Sequence, residues 1–272
     1  MNRRAALAAG LVLLVLTASG GSAPKQEFMD ASPSVPSPAA SSPDPSAAAP
    51  GPTPTPAATP RTRPTATRRP VARRPVGPLG TTRMTGVKAV ALTFDDGPHP
   101  DWTPKVLDRL RAAKVKATFC LIGVKVHRYP ALVARIVREG HSLCNHSWQH
   151  DLKLGSKTPA EIRADLQRTN KEIRRAVPGA RIPYYRQPGG KWTPAVVKIA
   201  KELGMTSLHW DVDPADWEKP GAPVISERIA QQARPGSIVL LHDGGGDRSD
   251  TLGACPLVLS SLKQKYGIVR LR

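Results

Sequence analysis

The chain has 272 residues, with 40 Lys and Arg against 21 Asp and Glu, so its formal net charge is +19. The composition excludes a collagen-like chain, three Cys exclude a disulfide-dense mini-protein, and the lack of an apolar run near 18 residues excludes a polytopic membrane protein. The size allows one ordinary domain with extra sequence, or two small ones. Such a charge points to nucleic acid, an anionic surface or an acidic polymer as partner, and an Arg-rich composition bias is the plainer reading.

Residues 1–20 have the layout of a secretory signal. Arg3 and Arg4 precede an apolar run from Ala5 to Leu16, and small residues follow. Cleavage is expected after Gly20, with Ala18 at the third position before the cut. Thr17-Ala18-Ser19-Gly20 also resembles a lipoprotein signal, but Gly21 stands where that signal needs Cys, so no lipid is expected. Asn2-Arg3-Arg4 is only a weak twin-arginine match. The expectation is an exported protein, secreted or held in the cell envelope.

Residues 21–80 read as a disordered linker. Residues 1–80 hold 15 of the 29 Pro, 9 basic and 3 acidic residues, which leaves 31 − 18 = +13 on residues 81–272. The fourteen Pro of residues 31–80, among Ala, Ser, Thr and Gly, cannot bury enough apolar surface to offset ordering entropy. An extended Pro-rich stretch of fifty residues reaches roughly 150 Å, enough for a tether. Its second half carries Arg61, Arg63, Arg68, Arg69, Arg73 and Arg74. These are read either as an anchor on anionic wall polymer or membrane head groups, or as a solvated run that keeps the linker open.

From Val87 the pattern alternates. Strands are expected at 87–94, 117–122, 141–145, 182–186, 206–212, 237–242 and 268–271. Helices are expected between them. Thr103-Pro104 and Thr193-Pro194 read as helix starts, Thr158 with Glu161 as a capping box, and 130–139, 224–233 and 257–266 as further helices. Regular alternation implies parallel strands with helices outside, here a distorted or incomplete β/α barrel of about seven strands over residues 81–272. In such barrels the chemistry sits at the C-terminal strand ends. Asp95 and Asp96, His146 and His150, Arg186, Asp213 and Asp216, and His242 all fall there.

Asp95-Asp96-Gly97-Pro98 is weak alone, because it is also a turn sequence. His146 and His150, four apart, can meet on one side of a helical turn as metal ligands do. Their plainer reading is a pair of satisfied histidines. With an Asp from another strand end they make an Asp-His-His site with open positions, the pattern of a catalytic metal. Zn²⁺ is the first choice, and Co²⁺, Ni²⁺ or Mn²⁺ also suit a mixed N/O set.

The segments TFDDGP (93–98), NHSWQH (145–150), YRQPGG (185–190), DVDPADW (211–217) and IVLLHD (238–243), in this order, resemble the five motifs of the polysaccharide deacetylase family. This is the NodB homology domain of carbohydrate esterase family 4. The resemblance covers about residues 86–272. It implies Asp95 as the general base for a metal-activated water, and Asp96, His146 and His150 as metal ligands. Arg186 would orient Asp95, Pro188 would shape the groove, and the Gly189 N–H would help stabilise the oxyanion. His242 would be the general acid held by Asp216, with Trp217 and Leu240 lining the acetyl pocket. Where the family often has an aromatic residue after the third-motif Pro, this chain has Gly189, which removes a groove wall.

The implied activity is removal of acetyl groups from N-acetylglucosamine-type polysaccharide, peptidoglycan or chitin oligomers, by a monomer. The basic domain tilts the choice toward an anionic wall. Acetylxylan O-deacetylation uses the same residues, and a non-catalytic wall-binding module is a further alternative. Nothing supports specific nucleic-acid binding, since aromatics are only 4% and no binding motif is present. Asp213 is expected to brace its loop, and Gly244–Gly246 to add mobility. His99, His127, His141 and His209 are read as structural or surface groups. Cys120 and Cys144 fall in expected core strands, so three free thiols, with Cys255, are expected rather than a disulfide.

Overall fold

The computed structural model describes residues 76–272. The expected signal and nearly all of the Pro-rich linker lie outside the described residues. Six strands form one parallel sheet: β1 (Ala91–Gly97), β2 (Thr118–Leu121), β3 (Ser142–Asn145), β4 (Tyr184–Tyr185), β5 (Thr206–Ser207) and β6 (Ile238–His242), in the order β5-β4-β3-β2-β1-β6. The expected fifth strand splits in two. Its start pairs with β4, and its end reaches β6 through a parallel bridge of Val212 with Val239. Leu240 N–H donates to the Val212 carbonyl at 2.9 Å. The segment between thus links the two sides of a curled sheet, an incomplete barrel. The expected seventh strand shrinks to one parallel bridge of Ile268 with Val90.

Alternation along the strands decides what faces inward. Val90, Leu92 and Phe94 join the large apolar cluster under the helices, with Phe94 stacked 5.4 Å from Phe119. Ala91 belongs to a small inner cluster with Cys120, Cys144, Tyr184, Leu208 and Ile238. Thr93 and Asp95 therefore share the inner side with Ala91. The same parity on β6 sets Ile238, Leu240 and His242 inward and Val239 and Leu241 outward.

Seven helices surround the sheet: α1 (Trp102–Ala112), α2 (Gly123–Arg128), α3 (Pro130–Arg138), α4 (Pro159–Ala176), α5 (Pro194–Glu202), α6 (Ala222–Gln232) and α7 (Ser249–Lys265). The capping box of Thr158 and Glu161 is present, and Thr193 caps α5. Thr103 does not cap α1. Its hydroxyl is buried, accepts from His99 N–H and donates to Asp243. Helix α2 has no signal in its apolar spacing. Helix α7 begins eight residues before the expected Leu257 and holds Pro256 inside it.

Three free thiols are not found. Cys120 and Cys144 are register partners on β2 and β3 and form a disulfide, leaving Cys255 as the buried free thiol. Register between strands is a tertiary property, and spacing along the chain does not reveal it. Among the described residues no helix is long and apolar enough to cross a membrane.

Candidate active site

The C-terminal strand ends surround a cleft of about 490 Å³ lined by Asp95, Asp96, His146, His150, Gly189, Trp217, Leu240 and His242, among others. Pro188 is buried beside it, at the start of the short turn that carries Gly189. Three sub-assemblies meet there.

The first is Arg186 with Asp95. Arg186 is 0% exposed and fills the barrel interior left open by Ala and Cys side chains. Its Nη1 donates to Asp95 Oδ1 at 2.7 Å and to Thr93 Oγ1 at 2.8 Å, its Nε to the Leu208 carbonyl, and its Nη2 to the His209 carbonyl. A buried cation needs such a full set of acceptors. The salt bridge pins Oδ1 and leaves Asp95 Oδ2 facing the cleft, 3.6 Å from His146 Nε2.

The second is Asp96 with His146 and His150. These three offer ligand atoms that all lie within 4.8 Å of one another. Asp96 Oδ1 is 3.5 Å from His146 Nε2 and 3.3 Å from His150 Nε2, yet it is buried without a hydrogen-bond partner. An unpartnered buried carboxylate oxygen facing two imidazole nitrogens is an arrangement that suits cation ligation. His146 Nδ1 lies 2.8 Å from the Arg186 carbonyl, which can only accept, so Nδ1 carries the proton and Nε2 presents its lone pair. Burial and neighbouring His146 depress the pKa of His150, which keeps it neutral for ligation. Burial pushes Asp96 up, but His146, His242 and His150 together hold it well below the usual carboxylate range. The donor set therefore fits a divalent metal.

The two histidines do not share a helix. Ser147 and His150 adopt positive φ of 65° and 61°, and the chain between them is a turn. Asn145 and Ser147 hold this turn. Asn145 Oδ1 accepts from Ser147 N–H, and Ser147 Oγ accepts from His150 N–H.

The third is His242 with Asp216. Asp216 is buried, its Oδ1 is 2.6 Å from His242 Nδ1, and its Oδ2 accepts from His242 N–H and Thr251 Oγ1. Burial lowers the pKa of His242, but the hydrogen bond and charge of Asp216, aided by Asp95 and Asp96, outweigh it and raise the value to about 8. Asp213 Oδ1 accepts from Ala215 N–H, bracing the loop as expected.

Trp217 is 52% exposed at the rim, while Leu240 is buried in the wall. Gly189, at φ 59°, lies against Leu152, so Leu152 occupies the side on which a larger residue would stand. Trp210, Arg248 and Asp243 escape sequence reasoning. Trp210 and Arg248 line the cleft. Arg248 donates from Nε to the Gly244 carbonyl at 2.6 Å. Asp243 is fully buried behind β1, accepts from Thr103, and is pushed up to about 7, chiefly by burial. Only the HD pair ending β6 hinted at it. His141 accepts from Ala117 N–H, His209 from Trp192, and His127 pairs with Glu172, so these three are outside the site chemistry.

A curled parallel sheet thus gathers a clamped carboxylate, a carboxylate-His-His cluster and a carboxylate-held imidazole at its C-terminal strand ends, where folds of this kind carry their chemistry. A family model described as polysaccharide deacetylase matches residues 82–208. The chain is 41% identical over 180 residues to a peptidoglycan-N-acetylglucosamine deacetylase of Bacillus cereus, covering 65% of this chain and 83% of that protein. It is 43% identical over 171 residues to a chitooligosaccharide deacetylase of a Bradyrhizobium species, covering 62% and 78%. Among solved structures, a peptidoglycan N-acetylglucosamine deacetylase bound to 4-naphthalen-1-yl-N-oxidanyl-benzamide matches with TM-score 0.66 and 33% identity, over 70% of this chain and 89% of that one. A pseudoenzyme of the same esterase family from Bacillus anthracis matches with TM-score 0.62 and 32% identity, over 67% of this chain and 63% of that longer one. The chain belongs to the polysaccharide deacetylase family, carbohydrate esterase family 4. Its class of activity is polysaccharide N-deacetylation.

Proposed function

We propose that this domain removes the acetyl group from N-acetylglucosamine units of a cell-wall glycan, with peptidoglycan preferred over chitin oligomers and Zn²⁺ as the metal. The observation that carries the reading is the convergence of Asp95, the Asp96-His146-His150 cluster and His242 on one cleft. The +13 balance of residues 81–272 favours an anionic wall as the setting. Export through the N-terminal signal, with the chain left unlipidated and monomeric, is part of the proposal.

Asp96, His146 and His150 would hold the metal, which when bound polarises an acyl carbonyl and makes water more acidic. Asp95 Oδ2 takes the proton of the attacking water, because Arg186 already occupies Oδ1 and fixes the ring of acceptors around it. His242, held at Nδ1 by Asp216, gives its Nε2 proton to the departing nitrogen as the C–N bond breaks. Gly189, in the cleft lining, would supply its N–H to the oxyanion, and Leu240 with Trp217 would enclose the methyl. Acetate and a free amine result.

A pure binding module is the competing reading, and one structural relative is a pseudoenzyme. The acid and base present here argue against it, since binding alone needs neither. The test is acetate release from peptidoglycan and from N-acetylglucosamine oligomers, with acetylxylan as the ester alternative. The reading predicts release from the first two and a faster rate on peptidoglycan. Release from acetylxylan alone would replace it with O-deacetylation.

A further inference from the structure

The cleft uses only one end of the barrel. At the other end, where Lys116 leads into β2, Gly140 into β3 and Thr206 opens β5, lies a second concavity of about 810 Å³. Its charged lining is Lys114, Lys116, Arg270 and Arg272, with no carboxylate side chain. An adjoining hollow of about 280 Å³ shares Arg270 and Arg272 and adds Arg181. All five side chains are exposed, and none forms an ion pair among the described residues. Arg270 donates only to the Gly140 carbonyl, at 3.1 Å. Glu139, the adjacent acid in the chain, is committed to Arg135 and Arg111.

Five gathered cations with no carboxylate side chain among them repel one another, and the single α-carboxylate of Arg272 offsets only part of their charge, so this end of the barrel is a positive field suited to an anion. Buried His141, in the adjoining hollow, registers it. Burial first, then Lys116, with Arg270 and Arg135 adding and Glu139 opposing, pushes its pKa down to about 4.

The upstream segment is not the occupant. Thr82, in the lining, bridges Val76, and the sequence just before carries Arg61, Arg63, Arg68, Arg69, Arg73 and Arg74. That run carries the same sign of charge as the concavity, so it offers no electrostatic complement to it. A flat bilayer engages convex cations, whereas these surround a hollow. The shape suits a flexible chain, and guanidinium forks match the several acceptor oxygens of a phosphate.

We propose that this end of the barrel binds a linear, phosphate-bearing polyanion. Bound there, the polymer holds the domain with its cleft turned to the opposite side, free for glycan. The proposal does not rest on the catalytic reading, and binding is measured without hydrolysis.

The test uses the full chain and inorganic polyphosphate of defined length as probe. Two variants each remove four positive charges: K114Q/K116Q/R270Q/R272Q at the concavity, and K171Q/R174Q/K198Q/K201Q on exposed faces of α4 and α5. The expected result is a loss of about tenfold or more for the first, with a shallower salt dependence, and less than about twofold for the second. Equal losses would mean that only net charge matters, and no loss in the first would leave the concavity without a role. Either outcome overturns the proposal. Vesicles of phosphatidylglycerol and phosphatidylcholine form a second arm. Vesicle binding that depends on the four concavity residues as strongly as polyphosphate binding does would assign this face to a membrane and overturn the choice of polymer. If the quadruple variant lowers the thermal midpoint, the pair K116Q/R270Q replaces it, with an expected loss of about threefold or more.

Discussion

Replacing Asp216 by Asn isolates the proposed general acid. The substitution keeps the shape and one acceptor oxygen, so Thr251 and His242 N–H retain partners. It removes the charge that holds His242 protonated. The raised value of about 8 against the ordinary 6.5 corresponds to about 2 kcal/mol in favour of the imidazolium. Without Asp216, burial acts on the ring with less opposition, and the pKa falls to about 6.5 or below. At pH 7.5 the protonated fraction drops from about three quarters to about a tenth, an eightfold loss in kcat from protonation alone. The assay is kcat against pH on an N-acetylglucosamine oligomer. The alkaline limb should move down by about 1.5 units or more, while an activated acetate ester, whose leaving group needs no proton, should lose much less. An alkaline limb that stays in place would refute the assignment of His242. Stability carries the same sign. A raised folded pKa contributes stability that is full below about 6.5 and is lost as pH rises through about 8, so D216N should destabilise more at pH 6 than at pH 9.

Adding Zn²⁺ at a hundredfold over Kd should stabilise the metal-stripped chain by about 2.7 kcal/mol, a rise in Tm of roughly 5–10 °C, and H146A should abolish that rise. A G244A substitution sets a methyl group against the backbone of Asp96, which has no freedom to move aside, so a loss of about 2 kcal/mol or more and weaker metal retention are expected in chemical denaturation and metal analysis. Reducing the Cys120–Cys144 disulfide, which closes a separation of 24 residues, should cost up to about 3.5 kcal/mol in urea unfolding. An unchanged midpoint would show that the bond does not form in solution.

The site was more legible in the sequence than the architecture around it. Asp95, Asp96, Arg186 and His242 each follow a short apolar run, and parallel strands bring such positions to one rim whatever the strand order. The expected strand 206–212 is a real apolar run, but its two ends pair with different neighbours, which no local pattern records. His146 and His150 lie together in the structure, but not through helical spacing. Positive φ at Ser147 and His150 makes a turn do what helical spacing was expected to do, and both residues can also adopt ordinary φ, so sequence carries no warning. Thr103-Pro104 has the form of a helix start, yet the Thr103 hydroxyl donates to Asp243, 140 positions away. The disulfide and the lining roles of Trp210 and Arg248 are likewise contacts between distant segments. Helix α7 begins at Ser249 and holds Pro256 within it, a position that a proline seldom takes, so local rules give no sign of the eight residues before Leu257.

If Asp96, His146 and His150 hold a metal, deacetylation depends on it. The most direct test is acetate release from peptidoglycan by chelator-stripped protein, before and after Zn²⁺ is restored, with bound metal counted in the same samples. One metal per chain and activity that returns in step with it are expected. Full activity in protein shown to be free of metal, or one bound metal with no release from peptidoglycan or N-acetylglucosamine oligomers, would contradict this expectation.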